Sequence, residues 1–487
     1  MDYSQFLMMK QEICLLVVFL LVFLNDIFLP RKAQGSIGII ATVLFGVFTL
    51  LGFCPEIIGS QKLTAFSGMY ETSPVIVYIK NILNAGVLIV MIQALRWAAS
   101  DMQRIRRGEF YELLLATLFG MYLMISSRHF LMFVIGLETA SLPLAAMVAF
   151  DKHRYESHEA AVKYILTAVF SSAIFMMGLS FVYALAGSLY FGKIATQVLV
   201  GVDMVPLAIA LAFVISGIGF KLSLVPFHLW TADVYQGAPT PVTSYLSVIS
   251  KGSAAFAFLV ILWQVFGAVY SDAWEWMLYA LIILTITVGN LFAIRQRNLK
   301  RFLAFSSISQ AGYIMLGVIA FTLHSQMGKA ALMYYILVYI FSNLAAFGVI
   351  GAIENKTGKV SMDDYNGLCK TNPRLSMTMM LAMFSLAGIP PFAGFFSKFF
   401  IFTSAINQGS IAIYVLVLIA LINTIVSLYY YLLVVKAMYI KTEEPSVIAP
   451  FKSAFSERLA MTICVAGIVG LGIVSWFYDQ ILTVVGC

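Results

Sequence analysis

Apolar residues run along this chain in long stretches that short polar or Gly/Pro-rich segments separate. Most stretches approach or exceed the roughly 20 residues that a helix needs to cross a bilayer, whereas the strands of a membrane barrel are shorter and alternate. The pattern therefore predicts an all-α polytopic membrane protein with about fourteen transmembrane helices. The predicted spans cover residues 11–29, 35–53, 75–95, 109–126, 129–150, 159–186, 205–225, 240–267, 274–294, 301–322, 330–353, 375–406, 411–435 and 459–482.

The composition supports a membrane protein. Of the 487 residues, 61% are hydrophobic and 11% are charged, while soluble domains carry roughly 25% charged residues. The net charge of +7 would suit a nucleic-acid partner, but the basic residues stand in short clusters between the predicted spans rather than in one patch. Membrane topology explains these clusters better, so we expect the lipid bilayer and no nucleic acid as a partner.

The basic residues between the spans are distributed unequally. Connections that follow even-numbered spans hold four of them, Lys62, Arg128, Lys193 and Lys329. By the positive-inside rule, the connections after odd-numbered spans are cytoplasmic and both termini lie on the opposite, periplasmic side. The odd-numbered connections hold twenty, at positions 31, 32, 96, 104, 106, 107, 152, 154, 295, 297, 300, 301, 356, 359, 370, 374, 436, 441, 452 and 458.

Spans seven and twelve share a pattern of glycine and proline. Span seven carries Gly217-Ile218-Gly219-Phe220-Lys221 before Pro226, and span twelve carries Gly388-Ile389-Pro390-Pro391-Phe392 before Lys398. Each is the fourth helix of a five-helix block, spans four to eight and spans nine to thirteen. Because each block has an odd number of spans, the second block is inverted in the membrane relative to the first. Inverted repeats with broken helices at matching positions are typical of transporters, where the breaks line the ion path. The predicted division is a three-helix segment (1–108), two five-helix repeats (109–270 and 271–440) and a C-terminal helix (441–487).

Five lysines and one glutamate stand out within the apolar stretches of the predicted spans. A charge near the bilayer centre costs at least about 2.5–3.5 kcal/mol, so such residues usually mark ion or proton pathways. A buried lysine can also release its proton, which arginine does not do. The pattern predicts a protein that moves protons. The six residues are Lys80, Lys163, Lys221, Lys251, Lys398 and Glu138.

Glu138 and Lys221 lie well inside their spans and are expected to pair, because either charge alone is costly. In a functional interpretation, Glu138 holds Lys221 charged until a conformational or electrostatic change separates them and the proton is released. In a structural interpretation, the same pair only holds two helices together.

The other lysines differ in depth. Lys251 is followed by small residues that let helices approach, which favours a central relay, and Lys398 follows the double-proline break, where we expect a relay role with water as its partner. Lys163 lies about one turn into its span, so snorkelling to the cytoplasmic surface and proton transfer are both open. Lys80 lies near the outer end of its span, and snorkelling to that surface is expected.

Two polar residues stand beside the predicted break of span seven. A neutral His228 both donates and accepts hydrogen bonds, so it suits a link between two lysines, and it equally suits the backbone groups that a break frees. Asp233 is expected to cap backbone amides.

The chain carries no sequence pattern for a cofactor or a metal. Its five cysteines are scattered without a CxxC pair, and neither a GxGxxG fingerprint nor a Walker A loop occurs. These absences argue against an iron–sulfur cluster, a zinc site or a nucleotide site. We expect no redox cofactor and no metal in this chain.

One long motif carries a family resemblance. The run Pro226-Phe227-His228-Leu229-Trp230 and its continuation Gln236-Gly237-Ala238-Pro239-Thr240-Pro241 resemble the signature of the subunit N family of respiratory complex I, the NADH-quinone oxidoreductase. Gly136-Leu137-Glu138, Ala161-Val162-Lys163-Tyr164 and Ser250-Lys251-Gly252 match as well, as does the segment 388–398, so the resemblance covers nearly the whole chain. Ala232 stands where proline is usual, and Thr139-Ala140 replace more typical leucines.

The resemblance implies an antiporter-like subunit of the complex I membrane arm in the bacterial inner membrane. Other subunits would handle NADH, FMN, the iron–sulfur clusters and quinone, and the sister subunit M and the small subunit K would be neighbours. Glu138, Lys221, Lys251 and Lys398 would carry protons, with Lys163 and His228 as further links. The alternatives are a subunit of a sodium/proton antiporter, of a membrane-bound hydrogenase or of a ferredoxin-dependent homologue, and a passive scaffold whose polar residues only join helices.

Overall fold

The fold is a bundle of apolar helices. The computed structural model describes residues 3–29, 34–59, 61–100, 106–199, 204–267, 272–322, 326–440 and 448–486. The basic positions 31, 32, 104 and 441 of the predicted connections lie outside these residues.

The α-helices are α1 (Lys10–Phe28), α2 (Ile37–Leu51), α3 (Pro55–Ile58), α4 (Pro74–Ala98), α5 (Arg107–Ser126), α6 (Phe130–Val148), α7 (Tyr155–Ala186), α8 (Phe191–Leu199), α9 (Met204–Leu222), α10 (Leu229–Gly237), α11 (Thr240–Tyr245), α12 (Lys251–Ile261), α13 (Asp272–Ile294), α14 (Leu299–Thr322), α15 (Gln326–Thr357), α16 (Leu368–Thr371), α17 (Pro373–Ala387), α18 (Ala393–Ile406), α19 (Ile411–Tyr439), α20 (Phe455–Ile473) and α21 (Trp476–Gly486).

The prediction of an all-α membrane protein is confirmed. Twelve helical segments of the described residues are long and apolar enough to cross a membrane, and the shorter apolar helices α2 and α18 bring the number of spans to about fourteen. The one sheet in the described part of the chain is a hairpin of β1 (Leu63–Ala65) and β2 (Tyr70–Thr72), with Leu63 opposite Thr72. We call the face that carries the connections after even-numbered spans the even face, and the opposite one the odd face.

The centre of the bundle is the span 240–266 together with α14. Both are almost entirely buried, whereas α1, α7, α19 and α20 expose most of their apolar residues, as helices that contact lipid or neighbouring subunits do. In the central span, π-helical turns at Leu246–Ser250 and Leu262–Phe266 flank α12. Such turns often occur at functional sites, and the first one ends directly before Lys251.

The structure differs from the predicted spans at the C-terminus. The stretch 459–482 was expected to be one helix, but α20 ends at Ile473 and α21 begins at Trp476. The backbone of Val474 is extended, which interrupts the ladder of helical hydrogen bonds there. The predicted boundaries of the two repeats stay a prediction.

Candidate functional site

The two helices that were predicted to be broken are broken. α9 ends at Leu222, Ser223 has a left-handed backbone with φ of 63°, and helix resumes at Leu229 after Pro226. α17 ends at Ala387, Gly388 has φ of 88°, and α18 begins at Ala393 after two prolines. Proline lacks an N–H, which disfavours helix at both breaks, and at the second break glycine also tolerates the left-handed region. Each break leaves backbone carbonyls without a helical partner.

Lys221 lies in the last turn of α9, directly before the first break. Its side chain is buried, and Nζ donates a hydrogen bond of 2.5 Å to Oγ of Ser141 on α6. Glu138 lies one turn before Ser141 on the same helix and is half-buried. Its carboxylate interacts electrostatically with Lys221, but the described residues form no ion pair between the two within 4.0 Å. The expected direct contact is therefore absent among the described residues, and Lys221 contacts a serine one turn further along the helix that carries Glu138.

Lys251 begins α12, in which every residue is buried. Nζ donates to Oγ of Ser307 at 2.7 Å and to its backbone oxygen at 3.2 Å, and it lies 5.7 Å from the centre of the Tyr235 ring. The Tyr235 hydroxyl is also 3.4 Å from the Ser307 hydroxyl. The small residues that follow Lys251 are buried with it, so its side chain is internal, as the sequence predicts.

Lys398 uses the carbonyls that the second break frees. Nζ donates to the backbone oxygens of Leu386 at 3.0 Å and Ala387 at 3.2 Å, and it lies 5.1 Å from the centre of the Tyr313 ring. A cavity of about 10 Å³ beside it also reaches Gln310. This is room for about one water molecule. The freed carbonyls, which sequence reasoning did not consider as partners, hold the ammonium in place.

One face of α14 connects Lys251 with Lys398. Ser307 contacts Lys251, Gln310 follows three residues later, and Tyr313 contacts Lys398 after three more. Gln310 accepts a short hydrogen bond from the Tyr335 hydroxyl and donates one of 3.1 Å to the Tyr431 hydroxyl. Residues three apart lie on the same helix face. Sequence reasoning missed these residues, although a serine- and glutamine-containing run inside a predicted span was a visible signal.

His228 lies in the first break and is half-buried. Its Nδ1 is buried and has no hydrogen-bond partner among the described residues, and the ring interacts electrostatically with Lys251. The ring also has a hydrogen-bond interaction with the backbone of Pro226, so His228 serves the backbone of the break as well. A ring nitrogen without a protein partner is available to a water molecule between the lysines.

Lys163 belongs to a charged cluster at the odd-face end of the bundle. Nζ lies 2.7 Å from the Glu159 carboxylate and 2.6 Å from the Asp233 carboxylate, and Arg301 lies 2.6 Å from the other oxygen of Asp233. The expectation that Asp233 caps backbone amides is wrong, because both its oxygens bind cations. With 42% of its side chain exposed, Lys163 can exchange protons with the odd-face solution.

A second odd-face cluster was not predicted. Glu354 lies 2.9 Å from Arg154 and 3.4 Å from Lys300, and the Thr240 hydroxyl donates a short hydrogen bond to it. Lys300 is buried and also donates to the Ala238 carbonyl at 2.9 Å. The cluster ties the start of the central span to α14 and α15. Its members are separated by up to 200 residues, so the sequence pattern could not bring them together.

Lys80 does not snorkel, and that expectation is wrong. Its side chain is buried, Nζ lies 2.5 Å from Oε1 of Glu12 on α1, and it donates to Oγ of Ser126 at 2.7 Å. The Tyr70 hydroxyl donates to the other oxygen of Glu12 at 2.9 Å. Glu12 was not considered because it stands in the first turn of a predicted span.

The three deep lysines share one property. Their hydrogen-bond partners are hydroxyl and carbonyl oxygens, and no carboxylate of the described residues lies within 4.0 Å of Nζ of Lys221, Lys251 or Lys398. In contrast, Lys80, Lys163 and Lys300 each have a carboxylate at that distance. A proton leaves an ammonium more easily when no carboxylate holds it.

Comparison with known proteins places these features in a family. Residues 127–424 match the family described as NADH:quinone oxidoreductase/Mrp antiporter, TM. NADH-quinone oxidoreductase subunit N of Phocaeicola vulgatus is 53% identical over 481 residues, which are 98% of each chain. A chain of respiratory complex I from Thermus thermophilus is 30% identical, with a TM-score of 0.79 over 97% of this chain and 98% of that one. A chain of the Mrp complex from Dietzia sp. is 19% identical, with a TM-score of 0.82 over 100% and 97%, and shows the shared fold alone.

Proposed function

The chain belongs to the NADH-quinone oxidoreductase subunit N family, and we propose that it moves protons along the bundle centre through Lys221, Lys251 and Lys398. It is a proton-translocating membrane subunit of complex I. The observation that carries the proposal is the polar face of α14, which links two buried lysines that have only neutral partners. An ammonium in such surroundings can alternate between its charged and neutral forms.

Glu138 acts in this proposal on Lys221 through its charge, without a direct contact. When Glu138 is ionised, its field favours a charged Lys221, and a charge that approaches or leaves Lys221 shifts that balance. Lys221 does not need to break a direct ion pair before it releases its proton, because its contact is a hydroxyl. A hydroxyl both donates and accepts, so Ser141 can reorient as Lys221 changes charge.

Lys163 and His228 extend the path on either side of Lys221. Lys163 contacts the odd-face solution and shares Asp233 with Arg301, which suits proton exchange with that surface. His228 lies between α9 and α10 with Nδ1 unpartnered among the described residues, which suits a water-mediated link from Lys221 towards Lys251. The imidazole can accept a proton on one nitrogen and release one from the other.

The redox chemistry belongs to other subunits in this proposal. NADH, FMN, the iron–sulfur clusters and quinone are handled there, and this chain contributes the membrane path. It contacts other membrane subunits, and we assign subunits M and K as neighbours. The protein spans a bacterial inner membrane several times, with the odd face towards the cytoplasm and both termini periplasmic by the positive-inside rule.

The decisive experiment replaces Lys251 in the intact complex. Vesicles that contain the assembled complex are supplied with NADH, and proton uptake is divided by NADH oxidation. We expect Lys251→Ala to lower this ratio and Lys436→Ala, an exposed lysine at the end of α19, to leave it unchanged. Native pumping by an assembled Lys251→Ala complex would reject the relay. Repeating the assay with potassium in place of sodium tests the antiporter alternative, which requires sodium-dependent transport.

A further inference from the structure

A pocket of about 850 Å³ lies on the even face. Four connections converge on it: the segment that contains the hairpin, the link between α5 and α6, the start of α8, and the end of the central span. It is separate from the buried lysine path, whose members do not line it. The pocket was not anticipated from the sequence, because its residues come from segments that are up to 205 positions apart, Lys62 to Gly267.

The pocket gathers the scarce basic residues of this face. The even-numbered connections carry four basic residues, and three of them, Lys62, Arg128 and Lys193, line the pocket. The fourth, Lys329, interacts electrostatically with Lys62 and Arg128. The positive-inside rule disfavours basic residues on this side. Chance placement on separate loops would not bring them together, so the convergence indicates a common anionic partner.

A carboxylate inside the pocket does not neutralise these cations. Glu71 lies 2.8 Å from Lys62 and 2.7 Å from Arg128. Burial raises the pKa of the Glu71 carboxyl, but the hydrogen bonds and charges of Arg128 and Lys62 outweigh burial and hold that pKa below its ordinary value. Glu71 is therefore ionised at neutral pH. The pocket is lined by three cations, Lys62, Arg128 and Lys193, and one anion, Glu71, so its net charge is positive.

Arg128 retains an unused donor. Its side chain is 10% exposed; Nη1 donates to the Ser127 carbonyl at 2.7 Å and Nη2 to Glu71 at 2.7 Å. Nε is buried and has no hydrogen-bond partner among the described residues, although the residue lines the pocket. Guanidinium groups bind phosphate oxygens with well-oriented donors. An anionic oxygen is the partner that this donor lacks.

The other pocket residues suit a lipid rather than a free anion. Trp263 is exposed at the end of the central span, and Tyr190 and Phe191 stand before and at the start of α8, with Lys193 5.1 Å from the Tyr190 ring centre. Tryptophan and tyrosine favour the membrane–water interface. α8 buries Phe191 and Ile194 in the bundle and exposes Lys193, Thr196 and Gln197. The pocket thus offers a charged part and an apolar part side by side.

We propose that this pocket binds the phosphate group of an anionic phospholipid, with Lys62, Arg128 and Lys193 around the phosphate and Trp263 against the lipid body. A phospholipid headgroup and free inorganic phosphate both carry the phosphate oxygens that these side chains would bind, so the test below distinguishes the two. The bound lipid joins the hairpin, α8 and the central span on the even face. The site stands independently of the proton path, because none of its residues belongs to that path.

The test counts tightly bound lipid on the intact complex. The purified complex is stripped with detergent, incubated with phosphatidylglycerol vesicles, washed and weighed by native mass spectrometry. We expect Lys62→Ala/Lys193→Ala to retain about one phosphatidylglycerol fewer per complex than the native protein, with no change in the uptake of phosphatidylcholine. Lys356→Ala/Lys436→Ala removes two exposed odd-face lysines and serves as the matched control. The subunit content of each sample is determined alongside its lipid count.

Three outcomes overturn the proposal. Equal phosphatidylglycerol retention by the native and double-variant complexes rejects the site. Retention of radiolabelled inorganic phosphate by the native complex but not the variant, with lipid counts unchanged, assigns the pocket to free phosphate. Loss of a neighbouring subunit from the variant, again with equal lipid retention, assigns it to an acidic protein segment.

Discussion

Lys80 and Glu12 form a buried ion pair, with 2.5 Å between Nζ and Oε1 and each side chain 1% exposed. The pair joins α1 to α4, and Ser126 and Tyr70 complete its hydrogen bonds. Breaking a buried pair by removing one partner costs about 3–5 kcal/mol, because the other charge stays buried alone. We therefore predict that Glu12→Gln lowers the thermal stability and the assembled amount of the complex, which gel analysis of membranes and a thermal-shift assay measure.

The double variant Lys80→Met/Glu12→Leu distinguishes the cost of an unbalanced buried charge from the cost of altered packing. Replacing both partners by apolar residues of similar size is often neutral or stabilising. We expect the double variant to recover most of the stability that Glu12→Gln loses. If the double variant is as unstable as the single one, the pair is needed for a reason other than charge balance.

The spans and breaks were predictable because their causes are local. A long apolar stretch must form a helix in lipid, and glycine and proline at 388–391 must end one. The partner of Lys80 was not predictable, since Glu12 is 68 residues away and its helix is apolar on every side. In such a helix, the hydrophobic pattern does not indicate which residue faces the bundle.

The site was partly predictable for the same reason. Lysines within apolar stretches stand out in any sequence, so Lys221, Lys251 and Lys398 were identified, but their partners come from other helices. Ser141, Ser307 and the carbonyls freed by the second break became apparent only when the helices were packed together. The π-helical turn before Lys251 was missed because it depends on tertiary packing, not on a local signal.

Glu138 and Lys221 are the subject of a second prediction. If the carboxylate tunes Lys221 by its charge, Glu138→Gln lowers proton pumping and the quinone reductase activity coupled to it. Glu138→Asp keeps the charge and should retain much of the activity. The rates of proton uptake and of NADH oxidation are measured separately in vesicles whose content of assembled complex has been checked. Full pumping by the glutamine variant would exclude the tuning role.

Topology gives a third prediction. Arg297 is an exposed odd-face residue and Lys62 an exposed even-face residue, with 69% and 59% of their side chains accessible. In spheroplasts, an impermeant maleimide should label Lys62→Cys at once and Arg297→Cys only after permeabilisation. Labelling is counted above that of the native chain, which has exposed cysteines at 14 and 54. The reverse pattern would invert the proposed orientation and the side of proton entry.

Gly394 gives a fourth prediction, about how the second break is held. A Cβ atom there would lie 1.7 Å from the Ser385 carbonyl oxygen, so Gly394→Ala must push α17 and α18 apart. Overpacking of this kind costs about 1–3 kcal/mol. We expect a lower unfolding temperature and weaker pumping. Gly470→Ala is the matched control, since its Cβ meets no described atom within 4 Å, and it should not destabilise the complex.

Lys398 carries the last prediction, because it tests whether the second broken helix is a working part of the path. Its ammonium donates hydrogen bonds to the carbonyls of Leu386 and Ala387. These oxygens can accept hydrogen bonds from any positively charged side chain that is long enough to reach them. Arginine could bind these oxygens, but it stays protonated and cannot release its proton. A structural role therefore tolerates arginine, whereas a relay does not.

We expect Lys398→Ala to lower proton uptake per NADH oxidised, since the loss of a proton-transfer group slows its own step by about 10²–10⁴-fold. Lys398→Arg should restore assembly and stability without restoring pumping, because it replaces the charge but not the exchangeable proton. The two variants are compared in vesicles with equal amounts of assembled complex. If the Lys398→Arg complex pumps like the native complex, a fixed positive charge is enough at the second break, and proton transfer must bypass α18.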